Sequence, residues 1–547
     1  MTTRRDFIGT TAASLAAFAG APAVLIRSRS AADIVIRGGP VFDGSGGAGI
    51  ERDVVIAGGK IVSIARGATE KGDVEINAKG LAVSPGFVDI HSHGDGSLWD
   101  DPRAESLIRQ GITTIVAGQD GSSRAPRAAR EGGDETRRQP ATFAQLWDEL
   151  ARLSPAVNVA SMIGLGTVRS VVVGGNDRPA TKEELDRMVA MVQAAIADGA
   201  CGASSGLEYT PGAFAPLEEL IALCRPLASR GLPYATHMRN EDDRLIEAID
   251  ESIAVARGAR CPLQISHLKT QGPRNWKKLD VAFARVADAR KAGIDAQFDR
   301  YPYIAYSTGL TNLFPVWSRD ESTQAFLRRL TDPSVAPRIE QETRAKVELI
   351  GGWDNVAIAN VADSTDRAAE GARLGTYAAS RGVEPYAMAV GLLQRSRGSV
   401  GMLGFAMSEE NLDRILAHPQ GMVCSDGGAF AVDGPTRRGR PHPRGLGTYP
   451  RVLARYVRER KALTLTQAIN KMSALPASRV KIRDRGRLAA GLAADVVVFD
   501  PATVQDNATF ADPFQYPTGI NAVIVNGAIA LRDGQRTDKH SGKPLRV

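Results

Sequence analysis

The chain has 547 residues, with 68 Lys and Arg against 61 Asp and Glu and 5% aromatic residues. At about 100–200 residues per domain that length holds one large domain and a smaller one. The formal charge of +7 is diffuse, its densest spots being TRRGR at 436–440 and RERK at 458–461. With so few aromatics for base stacking, this excludes a nucleic-acid-binding footprint, and the charge reads as solubility.

In chain order, the first segment is not part of the fold. Arg4 and Arg5 precede Phe7 and an apolar, small-residue run with Ala-x-Ala at 19–21 and 21–23, the form of a twin-arginine export signal. The run is shorter than the roughly 20 residues that span a bilayer, and no later run is long enough. The expectation is a signal and linker over 1–31, export to the periplasm or exterior of a bacterium, and no stable membrane association once the signal is removed. The four cysteines (Cys201, Cys224, Cys261 and Cys424) lack pair spacing, so no disulfide framework is expected.

From 32 to 85, short β-branched runs alternate with glycine turns (ADIVIRGGPVFDG, RDVVIAGGKIVSI), predicting a small antiparallel sheet. The same vocabulary returns in ADVVVFD (494–500) and NAVIVNGAIALRDGQ (521–535). One small β-sandwich domain, 32–85 plus 486–547, is therefore expected from both terminal segments.

Between them lie eight short apolar strands: GFVDI (86–90), TTIVAG (113–118), NVASMI (158–163), CGASSG (201–206), PYATH (233–237), LQISH (263–267), DAQFD (295–299) and GMVCSD (421–426). Helical text separates most of them, as in KEELDRMVAMVQAAIADG at 182–199. The alternation predicts an α/β fold, a closed (β/α)8 TIM-like barrel over 86–485. The stretch from about 311 to 420 is too long for one loop; it is expected to hold an inserted helical segment over the active-site face.

Only seven histidines occur, and four stand at the ends of proposed strands: His91 and His93, His237, and His267. Asp426 ends the eighth. In such a barrel these ends converge on one face, where catalytic residues lie. Residues i and i+2 of a strand point to one side, so His91-x-His93 can present two imidazoles to one cation. Imidazole nitrogen suits Zn²⁺, which makes water a usable nucleophile near neutral pH. Asp426 fits the carboxylate that moves the water's proton to the leaving group. In GQDG (118–121), Asp120 taken alone reads as a turn former.

PGFVDIHSHGD, THMRNEDD, ISHLKTQGPRNW, DRYPYIAYSTGL and VCSDGG together resemble the amidohydrolase superfamily, and within it the N-acyl-D-amino-acid deacylase (D-aminoacylase) branch. The resemblance implies a zinc-dependent hydrolase that cleaves the amide of small N-acyl-D-amino acids. By similarity, His237 and His267 hold the tighter zinc, His91 and His93 a weaker, more solvent-facing one, and Asp426 is both the general base and a further metal ligand. Tyr209 falls where a tyrosine polarises the scissile carbonyl; Lys269, Tyr301, Ser307 and Arg444 fall where the substrate carboxylate is recognised. Two features depart from the branch. Asp120 stands where its members carry a bridging cysteine, making Asp120 the expected bridging or tight-site ligand. The spacing from Asp426 to HPR (442–444), through GAFAVDGPTRRGR, is also longer than in the branch. The rival functions are a cyclic-amide or dipeptide hydrolase of the same superfamily and a non-catalytic exported binding protein. Against the classes that use a carbamylated lysine, no lysine stands at an obvious fourth-strand end.

Overall fold

The computed structural model describes residues 31–127 and 141–547; the expected export signal lies outside the described residues apart from Ala31. Among the described residues no helix is long and apolar enough to cross a membrane.

Eight short parallel strands form the centre. They are Phe87–Asp89, Ile112–Ala117, Asn158–Ser161 (continued as Ile163–Gly164), Ala203–Gly206, Tyr234–His237, Leu263–Ile265, Ala296–Arg300 and Gly421–Val423. Each of the eight runs read from the sequence overlaps one of them, Ile112–Ala117 starting one residue before its run and Ile163–Gly164 and Ala296–Arg300 each ending one residue after. Parallel pairing links each strand to the next. The ring closes where Asp426 N–H donates to the His91 carbonyl and His93 N–H to that of Gly427, each at 2.9 Å. Their residues are almost wholly buried, as expected of strands covered on one face by helices and filled on the other by side chains. The crossover helix Lys182–Ala197 shows the local logic: Thr181 and Glu184 close a reciprocal capping box at its start, satisfying two orphan donors.

Nine strands from the two ends of the chain form one connected sheet, and it is not purely antiparallel. Ala31–Val41 pairs in parallel with Lys71–Asn77 through residues 31–37, and Val41 pairs in parallel with Val83. The change of partner falls at a bulge between Ile36 and Gly39. A bulge bends the strand and raises its twist, so one edge serves two partners and the sheet folds over into a sandwich. Ile34, Ile36, Val54, Ile61, Val83, Val496 and Ile524 fill its interior.

The stretch between the seventh and eighth barrel strands carries helices, among them Ala336–Leu349 and Pro385–Arg395. It also carries an antiparallel sheet of Ala305–Gly309, Val400–Phe405 and Val356–Val361, absent from the sequence reading. All four cysteines are free and buried.

The sandwich is fastened to the barrel floor through Asp495, 2% exposed. Its carboxylate accepts from Arg485 Nη1 at 2.6 Å, Asn158 Nδ2 at 3.0 Å and Asn526 N–H at 2.7 Å, while its carbonyl accepts from Gly86 N–H at 2.8 Å. Removing one partner of a buried pair strands the other charge. Asp495→Ala is expected to destabilise the protein by about 3–5 kcal/mol, read from the denaturant midpoint; a change under about 1 kcal/mol would show that Arg485 finds water instead.

Candidate metal centre and active site

The turn after the second barrel strand positions Asp120, and it requires its two flanking glycines. A Cβ on Gly118 (φ +72°) would lie 2.0 Å from the Met162 carbonyl oxygen, and one on Gly121 (φ +75°) 2.6 Å from Gly206 N. Asp120 (φ +51°), His267 (φ +36°) and Asp426 (φ +48°) all adopt left-handed backbone, uncommon for residues with a Cβ and concentrated at functional sites.

Asp120 is the hub. Its Oδ1 lies 3.4 Å from His91 Nε2 and 3.4 Å from His267 Nε2; its Oδ2 lies 3.4 Å from His93 Nε2 and 3.8 Å from His237 Nδ1. Asp426 Oδ1 lies 3.5 Å from His91 Nε2 and 3.1 Å from His93 Nε2, while its Oδ2 meets Arg444 Nη1 at 2.7 Å. The structure therefore brings together all six residues expected to ligate metal. Two overlapping groups, His91, His93, Asp120 and Asp426, and Asp120, His237 and His267, each place their donor atoms within 4.8 Å of one another.

These residues fit a metal ion. Both ring nitrogens of His91, Asp120 Oδ1 and Asp426 Oδ1 are buried without a hydrogen-bond partner, a costly state for polar atoms unless a ligand satisfies them. A set of imidazole nitrogens and carboxylate oxygens suits Zn²⁺ or a comparable divalent ion. Electrostatics agree in sign. Burial alone raises the carboxyls of Asp120 and Asp426, but His91 and His267 around the first, and Arg444 with the histidines around the second, hold both below the usual carboxylate range. Burial alone lowers the imidazoles of His93 and His237, yet neighbouring carboxylates push each up to about 10. The pocket calls for positive charge.

A second layer surrounds the donors. His267 Nδ1 lies 2.6 Å from Lys269 Nζ and 3.1 Å from Glu241 Oε1, and Lys269 donates to that same Glu241 oxygen at 2.6 Å. Glu241 also accepts from Gln271 at 2.8 Å. On the far side of His237, Nε2 lies 3.4 Å from Glu208 Oε2. Burial works against Glu208, but Lys346 and His237 hold it down at about 2. Asp299 lies 3.7 Å from His91 Nδ1 and accepts from His267 N–H at 2.8 Å. Glu208, Glu241, Asp299 and Lys346 were not singled out in the sequence. Strand-end position was the available signal for Asp299 and Glu208, since Asp299 is the penultimate residue of the seventh strand and Glu208 lies two residues past the fourth.

The remaining predicted residues line a cavity of about 710 Å³ above the donors. The Tyr209 ring lies 4.7 Å from that of His237, and its oxygen accepts from Thr308 Oγ1 at 3.2 Å. Burial, then the Asp120 charge, pushes its phenol well up. Tyr301 Oη is buried without a partner, beneath the Arg444 guanidinium at 4.7 Å. Ser307 stands on the inserted sheet, its carbonyl 3.5 Å from Arg444 Nη2. Lys269 reaches the cavity wall with its ammonium already engaged by Glu241 and His267.

Comparison with known proteins gives the family. The amidohydrolase family model matches residues 74–303 and 431–531. A D-aminoacylase of Alcaligenes xylosoxydans xylosoxydans is 34% identical over 94% of this chain and 97% of its own length. An N-acyl-D-glutamate deacylase from the same organism is 35% identical over 90% of this chain and 93% of its own. Among solved structures, the Bordetella bronchiseptica N-acyl-D-glutamate deacylase, complexed with zinc and a phosphonate inhibitor, superposes with a TM-score of 0.80. It is 33% identical and covers 94% of this chain and 100% of its own. A (β/α)8 barrel with a β sandwich and a histidine–carboxylate centre defines a class of metal-dependent hydrolases. The chain belongs to the amidohydrolase family.

Residues that orient metal-binding histidines typically contribute 10–100-fold to metal affinity. Glu241→Gln is accordingly expected to weaken zinc binding about 10–100-fold, measured by competition with a chromophoric chelator. Unchanged affinity would restrict Glu241 to neutralising Lys269.

Proposed function

We propose that this chain is a metal-dependent deacylase that hydrolyses N-acyl-D-amino acids to a carboxylate and a free D-amino acid. The observation that carries this reading is the Asp120 carboxylate set among four imidazoles, beside Asp426 and Arg444, at the floor of a cavity sized for a small molecule. The choice of substrate class is supported by the names of relatives that align over nearly the whole chain. We carry the twin-arginine segment forward as a further proposal: the enzyme acts after export.

His91, His93, Asp120, His237 and His267 would hold zinc, with Asp426 at its edge. When bound, the ion supplies a Lewis acid that polarises the amide carbonyl and makes water nucleophilic near pH 7. Of the four histidines only His93, at 38%, is solvent-facing, against 1% for His91, 6% for His237 and 2% for His267, so an outer ion would be open to solvent on the His93 side alone. Arg444 keeps Asp426 ionised through Oδ2, so the unpartnered Oδ1 accepts the proton of the attacking water and passes it to the leaving nitrogen. Tyr209 stays protonated at neutral pH, and because its oxygen already accepts from Thr308, its O–H is free to donate to the developing oxyanion. The unpartnered Tyr301 hydroxyl and the Arg444 fork are placed to receive the substrate carboxylate beside Ser307.

The cyclic-amide rival is disfavoured by one observation. Where classes with a carbamylated lysine require that residue, the fourth strand Ala203–Gly206 leads instead into Leu207 and Glu208, and the place between the two histidine pairs is taken by Asp120. A non-catalytic binding protein would have no use for the Asp426–Arg444 pair.

Metal analysis of the purified protein is expected to give at least one zinc per chain, with turnover of N-acetyl-D- but not N-acetyl-L-amino acids. Activity confined to hydantoins or β-aspartyl dipeptides would overturn the assignment. Asp426→Asn is expected to lower kcat by about 10²–10⁴-fold, the usual contribution of a general acid–base, with zinc retained. Asp120→Ala should lose zinc and activity together and Asp120→Cys keep both; zinc retained at full content in Asp120→Ala would remove Asp120 from the ligand set.

A further inference from the structure

The two halves of a bound amide leave the centre in different directions. Around the ring of eight strands, Tyr301 and Ser307 come after the seventh, and Arg444 is tied to Asp426 after the eighth. Tyr209, which serves the carbonyl, comes after the fourth. With the α-carboxylate on the side of the seventh and eighth strands, the acyl group points across the mouth toward the segments that follow the second and third. The cavity above the donors continues there, and nothing in the hydrolysis above uses that end.

The end is a fixed wall. The Gly121 carbonyl accepts from Thr167 N–H at 2.9 Å, Thr167 Oγ1 from Ser123 N–H at 3.0 Å, and Ser123 Oγ from Gly164 N–H at 2.8 Å. These bonds tie the two segments together and set the point from which Arg124 projects. Its guanidinium lies over the Trp99 ring at 3.7 Å, a cation–π contact that holds the plane of the fork.

Charge at this end is one-sided. From Ser122 to Arg127 and from Gly166 to Val171 the lining carries two arginines, Arg124 and Arg127, and no carboxylate. Neither arginine forms an ion pair with a described residue, and Arg124 Nε is buried without a hydrogen-bond partner. Burial works against the Arg124 charge, and Glu149, Asp95 and Asp100 pull on it only from beyond ion-pair distance. Asp95, which lines the cavity beside them, accepts from Gly118 N–H at 3.3 Å, and burial raises its carboxyl. A partly buried cation without an anion is costly, and an unpaired guanidinium fork suits a carboxylate.

We infer that this end of the cavity takes an acyl group that itself ends in a carboxylate, of the succinyl or glutaryl kind, held by Arg124 and Arg127. The inference rests on the deacylase reading and concerns the acyl half of the substrate alone. Hydrolysis breaks the amide C–N bond; the water's hydroxyl joins the acyl carbon and its proton the nitrogen. The products are a dicarboxylate and the free D-amino acid.

The test compares kcat/KM for N-succinyl-D-alanine and N-glutaryl-D-alanine, each against the analogue whose terminal carboxylate is an amide. D-Alanine keeps the amine half free of an acidic side chain. At least one pair is expected to favour the carboxylate about 10–100-fold, the scale of a hydrogen bond to a charged group. Arg124→Gln and Arg127→Gln are expected to bring that ratio toward one, with N-acetyl-D-alanine turnover in the same samples showing that each variant has folded. Ratios near one in both pairs, or a ratio unmoved in both variants, would overturn the inference. If no N-acyl-D-alanine is hydrolysed, the deacylase reading fails, and calorimetry of the same pairs on the zinc-loaded protein decides the acyl end separately. A carboxylate preference lost in Arg124→Gln would uphold the site; equal affinities, or a preference that the variant keeps, would overturn it.

Discussion

The carboxylate of Asp120 has to lie among four imidazoles that arrive from three different barrel strands, and the mouth of the barrel is arranged around that demand. No extended residue could meet it. The chain must turn left-handed just past the second strand, and the close approach of Met162 and Gly206 to Gly118 and Gly121 leaves no room for a side chain on either flank. The two glycines are thus fixed by backbone contact, and the carboxylate between them by its four neighbours. His267 and Asp426 bend left-handed as well, so three strand ends accept an unfavourable backbone to aim at one point. Strain of this kind, of order 1–3 kcal/mol per residue, persists only where the surroundings over-determine it.

Charge compensation then explains the second layer. Desolvating a carboxylate is expensive unless it is paired and hydrogen-bonded. Asp120, Asp426, Glu208, Glu241 and Asp299 all lie within or beside the centre, and each has a defined partner. Lys269 answers Glu241, and Arg444 answers Asp426. Gln264 donates to Asp299 at 2.7 Å. Lys346, on the inserted helix Ala336–Leu349, reaches Asp242 at 2.5 Å and holds Glu208 ionised. The insertion is therefore an electrostatic part of the site as well as its cover, because one of its lysines supplies charge that the barrel lacks.

The same considerations show why some of this was legible in the sequence and some was not. Histidine is scarce here, seven in 547 residues, so four at strand ends stand out; 61 acidic residues do not. Glu208, Glu241 and Asp299 do not stand out for that reason, although Asp299 sits near the end of its strand as His237 does and Glu208 just past the end of its own. The eight barrel strands were readable because each is a short apolar run separated by helical text. The sheet of Ala305–Gly309, Val356–Val361 and Val400–Phe405 was not: its strands are far apart in sequence, two of them contain glycines, and the helices between them dominate the pattern. Strand direction in the sandwich was equally hidden, since alternation reports which face a residue takes and says nothing of the neighbour's polarity.

Asp120 was legible only through its place in the barrel, and its chemistry is where this chain parts from the pattern it resembles. A thiolate offers one soft atom to two ions, whereas a carboxylate offers two hard oxygens, and here each oxygen faces one imidazole from each histidine pair. Neither oxygen is committed to a single pair, so an ion held by either pair would meet a carboxylate oxygen, and the donor atoms at this end of the barrel are nitrogen and oxygen. A second consequence is repulsion. His91 Nε2 lies near both Asp120 and Asp426, two carboxylates that would raise each other's proton affinity if left alone. Arg444 relieves this by taking Asp426 Oδ2, and in doing so stations its guanidinium on the wall of the cavity above the donors. Carboxylate hub, paired base and cationic wall are in this way coupled: Asp120 and Asp426 crowd two negative charges around His91, and Arg444 supplies the positive charge that lets both stay ionised.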